Sequence, residues 1–425
     1  MKTKINSVLQ ETLKKIEPPK EDLNIIKNSL RDFLEKVEKK IKKLEINCEV
    51  FVGGSFAKGT MIKKDYYDAD VFFRFDKKYK EKEISLLTKR ILEEFVNVSI
   101  VHGSRDYFKI MISPDFFIEI VPVMKVRTPK ESKNITDLSY SHVKYIKNKI
   151  KSKNIFDEIK IAKVFCYANN CYGAESYIRG FSGYGLELLI YYYGSFLKFI
   201  KAISKTKDKI IIDIEKHYKN KQTILMDVNS SKLESPIILI DPTYKQRNAL
   251  AALSKETFEK FQKVCEDFLK NPSTKDFELK IADLKKIKEN AKNKKYEFIL
   301  LEAKTKKQEG DIAGTKLLKF YNHLTSEIKN SFDIKDKGFN YNGQKSARYF
   351  FVVKNKKEIL FDGPNIKDKK NLLRFKKKHK SNFEKKGRIW AKEKVEITIN
   401  DFVKKWKIKN QKKIKEMSIE KLEII

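Results

Sequence analysis

The spacing of apolar residues in the first third of the chain predicts a mixed unit of helix and strand. From Leu23 to Leu44 apolar residues recur at intervals of three and four, which is the pattern of one amphipathic helix. Short apolar runs with strand character follow at Asn47–Val52, Asp70–Phe75, Tyr107–Ser113 and Phe116–Val123. A helix followed by strands and a hairpin is typical of an α+β domain.

The pattern changes further along the chain. From about Asp137 to Ser204 it is mostly helical, with breaks where Gly and Ser cluster. After a helix that ends near Leu269, the predicted elements alternate: strand at 276–282, helix at 283–292, strand at 296–304, helix at 317–328 and strand at 347–353. The chain is therefore predicted to contain a helical second domain and a small α/β third domain.

Length and composition agree with several folded domains. With 425 residues, about three domains are expected, and 41% hydrophobic with 35% charged residues exclude global disorder. No window approaches the roughly 20 uncharged apolar residues of a membrane span, and the first residues lack the apolar core of a secretion signal. We therefore expect a cytoplasmic protein that does not interact with membranes. Its cysteines are expected to be free, buried thiols: Cys48, Cys166, Cys171 and Cys265.

The charge balance favours a polyanionic partner. The chain has 93 Lys and Arg against 57 Asp and Glu, a formal net charge of +36. Such a field attracts nucleic acid and releases its counterions on binding. A lysine-rich composition inherited from an AT-rich genome would give the same count, so charge alone does not decide between the two interpretations.

A glycine-rich segment follows the first predicted strand. In GGSFAKGT (Gly53–Thr60), backbone N–H groups can converge on phosphate oxygens, and Ser55 and Lys58 add a hydroxyl and a positive charge. Most glycine turns by themselves only serve tight packing or a positive φ. The segment gains significance from the acidic residues that follow it.

Three acidic residues are predicted to meet on neighbouring strands. Asp68 and Asp70 are two residues apart at the start of a strand and so share one face. Glu119 lies between two isoleucines that alternation places on the opposite, core-packed face. Each acid alone is more often a cap, a surface residue or a lysine partner, but together they fit a two-ion magnesium site. Asp65 is treated as a loop residue, because a one-residue offset changes the strand face.

The order of these motifs resembles the nucleotidyltransferase superfamily of poly(A) polymerases, oligoadenylate synthetases and CCA-adding enzymes. GGSFAKGT, DAD and IEIVPV carry that resemblance. Two longer segments, Tyr172–Phe196 and Leu239–Ser254, closely resemble stretches of archaeal, class I CCA-adding tRNA nucleotidyltransferases. ILFDGPN (Ile359–Asn365) is similar to the element that precedes the tail of that family.

The resemblance implies an α+β multidomain fold with four parts. These are a polymerase β-like nucleotidyltransferase head (1–136), a helical neck that forms the nucleotide-binding central domain (137–270), a small α/β, RRM-like body (271–365) and a basic helical tail that contacts tRNA (366–425). In the tail, Trp390 and Trp406 are expected to pack on helices rather than to stack on RNA.

The resemblance also implies roles for individual residues. Gly54, Ser55 and Lys58 are expected to contact the phosphates of the nucleotide. Asp68, Asp70 and Glu119 are expected to bind magnesium and to carry out catalysis. His142, Lys163 and Tyr172 are expected to help bind the nucleotide, and Arg247 is expected to face the base. Lys163 and Tyr172 can equally be surface or core positions, and His142 a cap or packing residue. The chain departs from the family at Glu119, commonly an aspartate, at Asn365, typically a proline, and in a Thr60–Asp68 loop that is one residue longer.

The implied activity is template-independent addition and repair of the 3′-terminal CCA of tRNA. CTP and ATP are the implied substrates, Mg²⁺ the cofactor, and the tRNA acceptor stem and 3′ end the partner; whether the protein forms a homodimer is left open. One alternative is a poly(A) or oligoadenylate polymerase, which acceptance of CTP would exclude. Another is an RNA-binding protein with a decayed catalytic head, against which the presence of Asp68 and Asp70 argues.

Overall fold

The protein is described by a computed structural model that covers residues 2–103, 105–280, 282–356, 358–394 and 397–425. The chain divides into two compact units, Met1–Lys280 and Ile281–Ile425. Among the described residues, no helix is both long and apolar enough to span a bilayer.

The first unit begins with two helices and a five-stranded sheet. In chain order its first elements are α1 (Lys2–Ile16), α2 (Lys20–Lys43), β1 (Cys48–Val52), α3 (Gly54–Lys58), β2 (Tyr67–Phe75), α4 (Glu81–Ile91), β3 (Val98–Val101), β4 (Tyr107–Ser113) and β5 (Phe116–Met124). The predicted helix and all four predicted strands are confirmed, although β2 begins before Asp70, at Tyr67. β3 and α4 had no counterpart in the sequence prediction.

The sheet has the order β1-β2-β5-β4-β3, and one of its faces is covered by helices. β2 and β5 are parallel, and the other neighbouring strands are antiparallel. The covered face packs against α2 and α4, where the apolar stripe of α2 meets fully buried Val71, Phe73 and Phe75. The acidic residues point to the other face, so burial of the apolar half of each strand sets which side is available for chemistry.

The rest of the first unit is mainly helical. Its elements are α5 (Ser139–Lys149), α6 (Lys153–Ala168), α7 (Gly183–Tyr193), α8 (Phe196–Lys205), β6 (Ile210–Ile212), α9 (Lys221–Asp227), β7 (Ile237–Asp241), β8 (Tyr244–Asn248) and α10 (Lys255–Lys270). The predicted Gly and Ser breaks are helix caps: the Ser182 hydroxyl accepts from the Gly185 N–H at 3.1 Å, and Gly194 ends α7 in the left-handed conformation. The Ser195 hydroxyl caps the start of α8, as Ser182 does for α7, by accepting from the Lys198 N–H.

Two features of this region differ from the prediction. A three-stranded sheet, in the order β6-β7-β8, lies within a domain expected to be helical. β7 is buried along its whole length, and such a continuous apolar run does not distinguish strand from helix by periodicity. In addition, Ile5, Leu9 and Ile16 of α1 belong to the core that α6, α7, α8 and α10 form, although α1 lies in the sequence range predicted as the head.

The second unit contains two sheets. Its elements are α11 (Leu284–Asn293), β9 (Glu297–Lys304), α12 (Asp311–Ser331), β10 (Phe332–Tyr341), β11 (Ser346–Asn355), β12 (Glu358–Asn365), α13 (Lys369–Lys378), β13 (Asn382–Lys385), β14 (Arg388–Lys394), α14 (Ile399–Lys409), α15 (Gln411–Glu416) and β15 (Lys421–Ile424). An antiparallel sheet has the order β10-β11-β9-β15, and a smaller one the order β12-β14-β13.

The second unit also departs from the prediction in two places. Residues 276–282, predicted as a strand, contain the end of a short 3-10 helix (Thr274–Phe277) and no described strand, and Ile281 lies outside the described residues. The predicted helical tail includes strands as well as helices, and β15 pairs with β9 so that Leu422, opposite Ala303, closes the core. A short apolar end after a lysine-rich segment gives little local sign of such a distant partner.

The two tryptophans were expected to pack on helices, and the four cysteines to be free and buried. Trp406 is buried against Phe320, with ring centroids 6.3 Å apart, and its indole N–H donates to Glu327 at 2.9 Å, which confirms the packing role. Trp390 is half-buried and donates to the Lys385 carbonyl at 3.2 Å. All four cysteines are free; Cys48 is half-buried and the other three are buried.

Candidate active site

The pairing of β2 with β5 brings the three predicted acids to one face of the sheet. Asp70 lies opposite Glu119, and Asp68 lies opposite Phe117. Paired residues on neighbouring strands point to the same side, so the three carboxylates share a face. Ile118 and Ile120, on either side of Glu119, are fully buried in the opposite face. The predicted alternation along these strands is therefore confirmed.

The electrostatics of these acids show a crowded negative site. Burial, reinforced by the charge of Asp68, raises the pKa of Asp70 to about 6. Burial and the charge of Asp70 raise the pKa of Glu119 to about 7, while Lys109 opposes the change. The negative charge of Asp70 and of Glu119 is therefore unfavourable, mainly because both groups are buried and also because another carboxylate lies beside each of them.

This donor set fits a hard divalent cation. Within the described ranges, no group of three or more His, Cys, Asp or Glu side chains is arranged to hold a metal as the side chains stand. The carboxylates of Asp68, Asp70 and Glu119 nevertheless offer oxygen ligands on one face. Burial, together with the neighbouring negative charge, raises the pKa of two of them, and a divalent cation would offset both effects.

The glycine-rich segment contacts the acids directly. The predicted turn is a short helix, α3, and the Gly53 N–H donates to the Asp70 carbonyl oxygen at 2.8 Å. Gly54 has a φ of +61°, and a Cβ atom built there would lie 1.6 Å from Asp70 Oδ2. Only glycine therefore combines this backbone conformation with such a close approach to the carboxylate.

Two predicted phosphate-binding lysines meet at a residue that sequence reasoning missed. Lys58 Nζ lies 2.7 Å from Glu187 Oε2, and Lys163 Nζ lies 3.1 Å from Glu187 Oε1. Thr60 completes the cluster: its hydroxyl accepts from Lys163 at 2.8 Å and donates to Glu187 at 3.3 Å. Burial would raise the pKa of Glu187, but the two lysines outweigh it and hold the pKa below its usual range. An acid within the apolar run of α7 was the available signal.

A cavity of about 280 Å³ joins the acids, α3 and the lysines. It brings together seven predicted site residues: Gly54, Ser55, Lys58, Asp68, Asp70, Lys163 and Tyr172. Burial raises the pKa of Tyr172, so its hydroxyl stays protonated. Glu119 does not line this cavity but lies beside Asp70 on the same sheet face.

The remaining predicted residues, His142 and Arg247, form a second cluster around Asp241. His142 Nε2 and Arg247 Nη1 lie 3.0 and 2.5 Å from Asp241 Oδ2, and the Tyr184 hydroxyl donates to Oδ1 at 3.1 Å. The His142 ring stacks on Tyr184, with centroids 4.0 Å apart. Sequence reasoning did not single out Asp241 or Tyr184. Tyr184 and Glu187 lie one turn apart on α7, so this helix carries residues of both clusters.

Burial of the second cluster sets the charge of its members. Burial lowers the pKa of His142, although the hydrogen bond to Asp241 opposes this change, and the imidazole is therefore neutral at pH 7. Burial would raise the pKa of Asp241, but His142 and the charge of Arg247 hold it well below its usual range. The charged pair in this cluster is therefore Asp241 with Arg247.

Comparison with protein families agrees with this geometry. Residues 33–163 match the nucleotidyltransferase domain family, and residues 157–278 match the family described as tRNA nucleotidyltransferase, second domain. The two matches include the acids, both lysines, Glu187 and the cluster around Asp241.

Several archaeal proteins named CCA-adding enzyme are similar to this chain. The Nanoarchaeum equitans protein is 42% identical over 57% of this chain and 59% of its own length. The Methanocaldococcus jannaschii protein is 28% identical over 91% of this chain and 87% of its own length, and the Pyrococcus abyssi protein is 32% identical over 64% and 61%. The first and third alignments thus span about three fifths of the relative.

Solved structures support the fold. A cytoplasmic RNA terminal U-transferase matches 66% of this chain and 100% of its own, with a TM-score of 0.51 at 12% identity. The Cid1 poly(U) polymerase matches 64% and 98%, with a TM-score of 0.50 at 12% identity. The first unit thus carries the two domains that the nucleotidyltransferase families describe, and the chain is similar to archaeal CCA-adding enzymes.

Proposed function

We propose that this protein adds and repairs the 3′-terminal CCA of tRNA, from CTP and ATP and without a nucleic-acid template. The observation that carries the proposal is the β2–β5 register, which sets Asp68, Asp70 and Glu119 on one face beside a lysine-lined cavity. The tRNA nucleotidyltransferase domain matched at 157–278 supports tRNA as the acceptor, and the name CCA-adding enzyme of the archaeal relatives does not favour poly(A) synthesis.

The proposed reaction is a nucleotidyl transfer. The ribose 3′-hydroxyl of the RNA attacks the α-phosphate of the nucleotide, a new phosphodiester bond forms, and the bond to the β-phosphate breaks to release pyrophosphate. Asp68, Asp70 and Glu119 would hold the metal, proposed to be Mg²⁺ in a two-ion site. When bound, these ions would supply charge stabilisation and a lower pKa of the attacking hydroxyl.

The remaining groups bind and orient the nucleotide. Gly54 and Ser55 would donate hydrogen bonds to phosphate oxygens, and Lys58 and Lys163 would neutralise the triphosphate. Both lysines are already held in one place by Glu187, so little reorganisation is needed when the nucleotide binds. Catalysis then rests on positioning and electrostatics.

The second cluster is proposed to recognise the sugar and base. Tyr172 offers a protonated hydroxyl in the cavity. Arg247 presents a planar fork of donors whose direction is fixed by Asp241, and neutral His142 can accept or donate a hydrogen bond. CTP and ATP would be distinguished by these protein groups together with the growing RNA end.

The four-part division remains the proposed functional layout. Residues 1–136 would carry the chemistry and 137–270 the nucleotide contacts, while 271–365 and 366–425 would hold the acceptor stem. The RRM-like character of the body is supported by a β-α-β-β-α-β order, in which β9, α12, β10, β11, α14 and β15 build one sheet with two helices. The net charge of +36 supports an RNA partner.

The direct test supplies the purified protein and Mg²⁺ with a tRNA that lacks its 3′ terminus. CTP, ATP or both are added, the products are sized, and Asp70→Ala serves as an inactive control that retains tRNA binding. Two C additions completed by one A would establish the proposal. Long A tracts would instead indicate poly(A) synthesis, and tight binding without extension would favour a decayed catalytic head.

A further inference from the structure

We propose that a small, partly exposed area beside the acids, on the carboxylate-bearing sheet face, receives the 3′-terminal nucleotide of the RNA. This area, called the acceptor-end patch, consists of Lys109 and Met111 on β4, Phe117 on β5 and Tyr66 in the loop before β2. The inference rests on the proposed function, because it assigns a binding site to the RNA whose 3′-hydroxyl attacks in that reaction.

The strand registers define where the patch lies. Across the sheet, Asp70 on β2 is paired with Glu119 on β5, which is paired with Lys109 on β4. One step along the same face, Phe117 is flanked by Asp68 and Met111. Neighbouring strands are about 4.8 Å apart. The patch therefore adjoins the acids, since Phe117 shares β5 with Glu119, and Lys109 and Met111 lie one strand further out. The patch lies on the side of the acids that faces away from α3. The reason is that α3 directly follows β1, and β1 pairs with the edge of β2 opposite to β5.

The direction of the reaction then selects this side for the RNA. In nucleotidyl transfer the attacking and leaving oxygens stand on opposite sides of the phosphorus. Ser55, Lys58 and Lys163 line the cavity next to α3, so the pyrophosphate leaves toward α3. The attacking 3′-hydroxyl therefore approaches from β5 and β4, where the acceptor-end patch is the adjoining surface.

The chemistry of the patch suits an unpaired nucleotide. The Tyr66 ring stacks on Phe117, with centroids 6.1 Å apart and 29° between the planes, and Tyr66 remains 53% exposed. Lys109 Nζ lies 4.0 Å from the centre of the Phe117 ring. Met111 is 51% exposed beside them. Phe117 itself is buried, so Tyr66 is the ring that can stack a base. An aromatic face for a base, with a cation for the phosphodiester, is the means by which proteins bind single-stranded nucleic acid.

Photocrosslinking tests the location directly. A tRNA that lacks CCA and ends in 4-thiouridine is bound to the full-length protein without nucleotide, irradiated and mapped by mass spectrometry. We expect crosslinks at Tyr66 or within residues 109–117, and we expect them to disappear when the label is moved to an internal position. Crosslinks from the terminal label that are confined to other residues would overturn the proposal.

Kinetics of two variants test whether the patch contributes to binding. Tyr66→Ala removes the ring that stacks on a base, and Lys109→Met removes the cation for the phosphodiester. Each is expected to raise the KM for tRNA about tenfold. The KM for CTP should change by less than about twofold, because the nucleotide is held on the other side of the acids. Matched controls are Tyr192→Ala, at a tyrosine that is 51% exposed on α7, and Lys89→Met on the surface of α4.

The outcomes separate this inference from the proposed function. If the wild-type protein completes CCA and both patch variants keep the wild-type KM for tRNA, the patch is not the seat of the RNA end, while the proposed function stands. If the wild-type protein extends no RNA, the proposed function fails, and the crosslinking map alone decides whether the patch binds the RNA end.

Discussion

Glu187 is the shared counter-ion of two lysines that come from different parts of the first unit. It is fully buried, and it accepts from Lys58 of α3 and from Lys163 of α6. A buried charge that loses its partner is costly, because nothing replaces the water that the group gave up on folding. The position of both lysines, which we propose to bind phosphate, therefore depends on this one carboxylate.

Glu187→Gln is expected to impair nucleotide binding more than turnover. The variant keeps the shape of the side chain but leaves two buried lysines without a counter-ion, so stability should fall by about 3 kcal/mol. Poorly aimed lysines should raise the KM for CTP and ATP about tenfold, with a smaller change in kcat. Initial rates and urea unfolding measure both effects, with Glu234→Gln on the surface as control. An unchanged KM would mean that Glu187 only balances charge.

His142 couples stability to pH in the physiological range. Burial lowers its pKa in the folded protein below the value of about 6.5 in the unfolded chain. The unfolded chain therefore binds this proton first, so the stability contributed by neutral His142 is complete above that value and is lost as pH falls toward the folded pKa. The depressed pKa of Asp241 acts in the same direction only below about pH 4.

Substitution of His142 should reveal this coupling. His142→Gln is expected to melt below the wild-type protein at pH 8, and the difference should narrow as the pH is lowered to 5, because only the wild-type protein loses the contribution of a neutral buried imidazole. Melting temperatures of both proteins across this range make the comparison. A difference that stays constant or widens on acidification would contradict the depressed pKa.

At the scale of elements, α3 acts as a spacer between β1 and the acids. Two glycines with positive φ bracket this helix: Gly54 at +61° and Gly59 at +69°. Their surroundings differ, since a Cβ at Gly54 meets the Asp70 carboxylate whereas a Cβ at Gly59 meets nothing within 4 Å. Substitutions at the two glycines therefore separate the effect of backbone strain from the effect of displacing the Asp70 carboxylate.

Gly54→Ala and Gly59→Ala should differ in activity more than in stability. Each variant is expected to lose about 1 kcal/mol from the left-handed backbone conformation. Only Gly54→Ala has to displace Asp70, and a displacement of about 1 Å can lower the rate about 100-fold. Nucleotide addition and thermal unfolding of the two variants make the test. Equal activity of both would show that Asp70 tolerates the shift.

The sheet shows which elements were accessible to prediction. β1, β4, β5 and the stripe of α2 follow from local periodicity and turn residues, and the structure confirms them. The small β6-β7-β8 sheet and the pairing of β15 with β9 were not predicted, because a strand is stabilised by a partner that is distant in sequence. Residues 276–282 have the sequence pattern of a strand, but no described strand pairs with them, so the pattern alone did not produce a strand.

At the scale of the whole molecule, the net charge of +36 is the dominant property. If the charge serves RNA binding, affinity must depend steeply on salt, since each neutralised phosphate releases counterions. If the net charge reflects genome composition alone, the affinity for RNA should depend only weakly on salt. The sequence left both interpretations open, and a binding measurement distinguishes them.

The affinity for tRNA should fall about 1,000-fold between 50 and 200 mM salt if about six phosphates are contacted. Filter binding or fluorescence anisotropy over this range gives the slope. Asp70→Ala should show the same slope, because the substitution leaves the basic surface intact. A slope near zero would remove the argument that links the net charge to RNA.

The sequence by itself determined the local framework and the chemistry: the glycine-rich segment, the alternating acids, the helix caps and a family resemblance in long motifs. These features reside in neighbouring residues, so periodicity and side-chain type reveal them. Only the tertiary structure decided which charges meet. Glu187 lies 129 residues from Lys58, and Asp241 lies 99 residues from His142. No local pattern encodes such a pair, because it forms only when folding buries both partners together and each becomes the other's replacement for water.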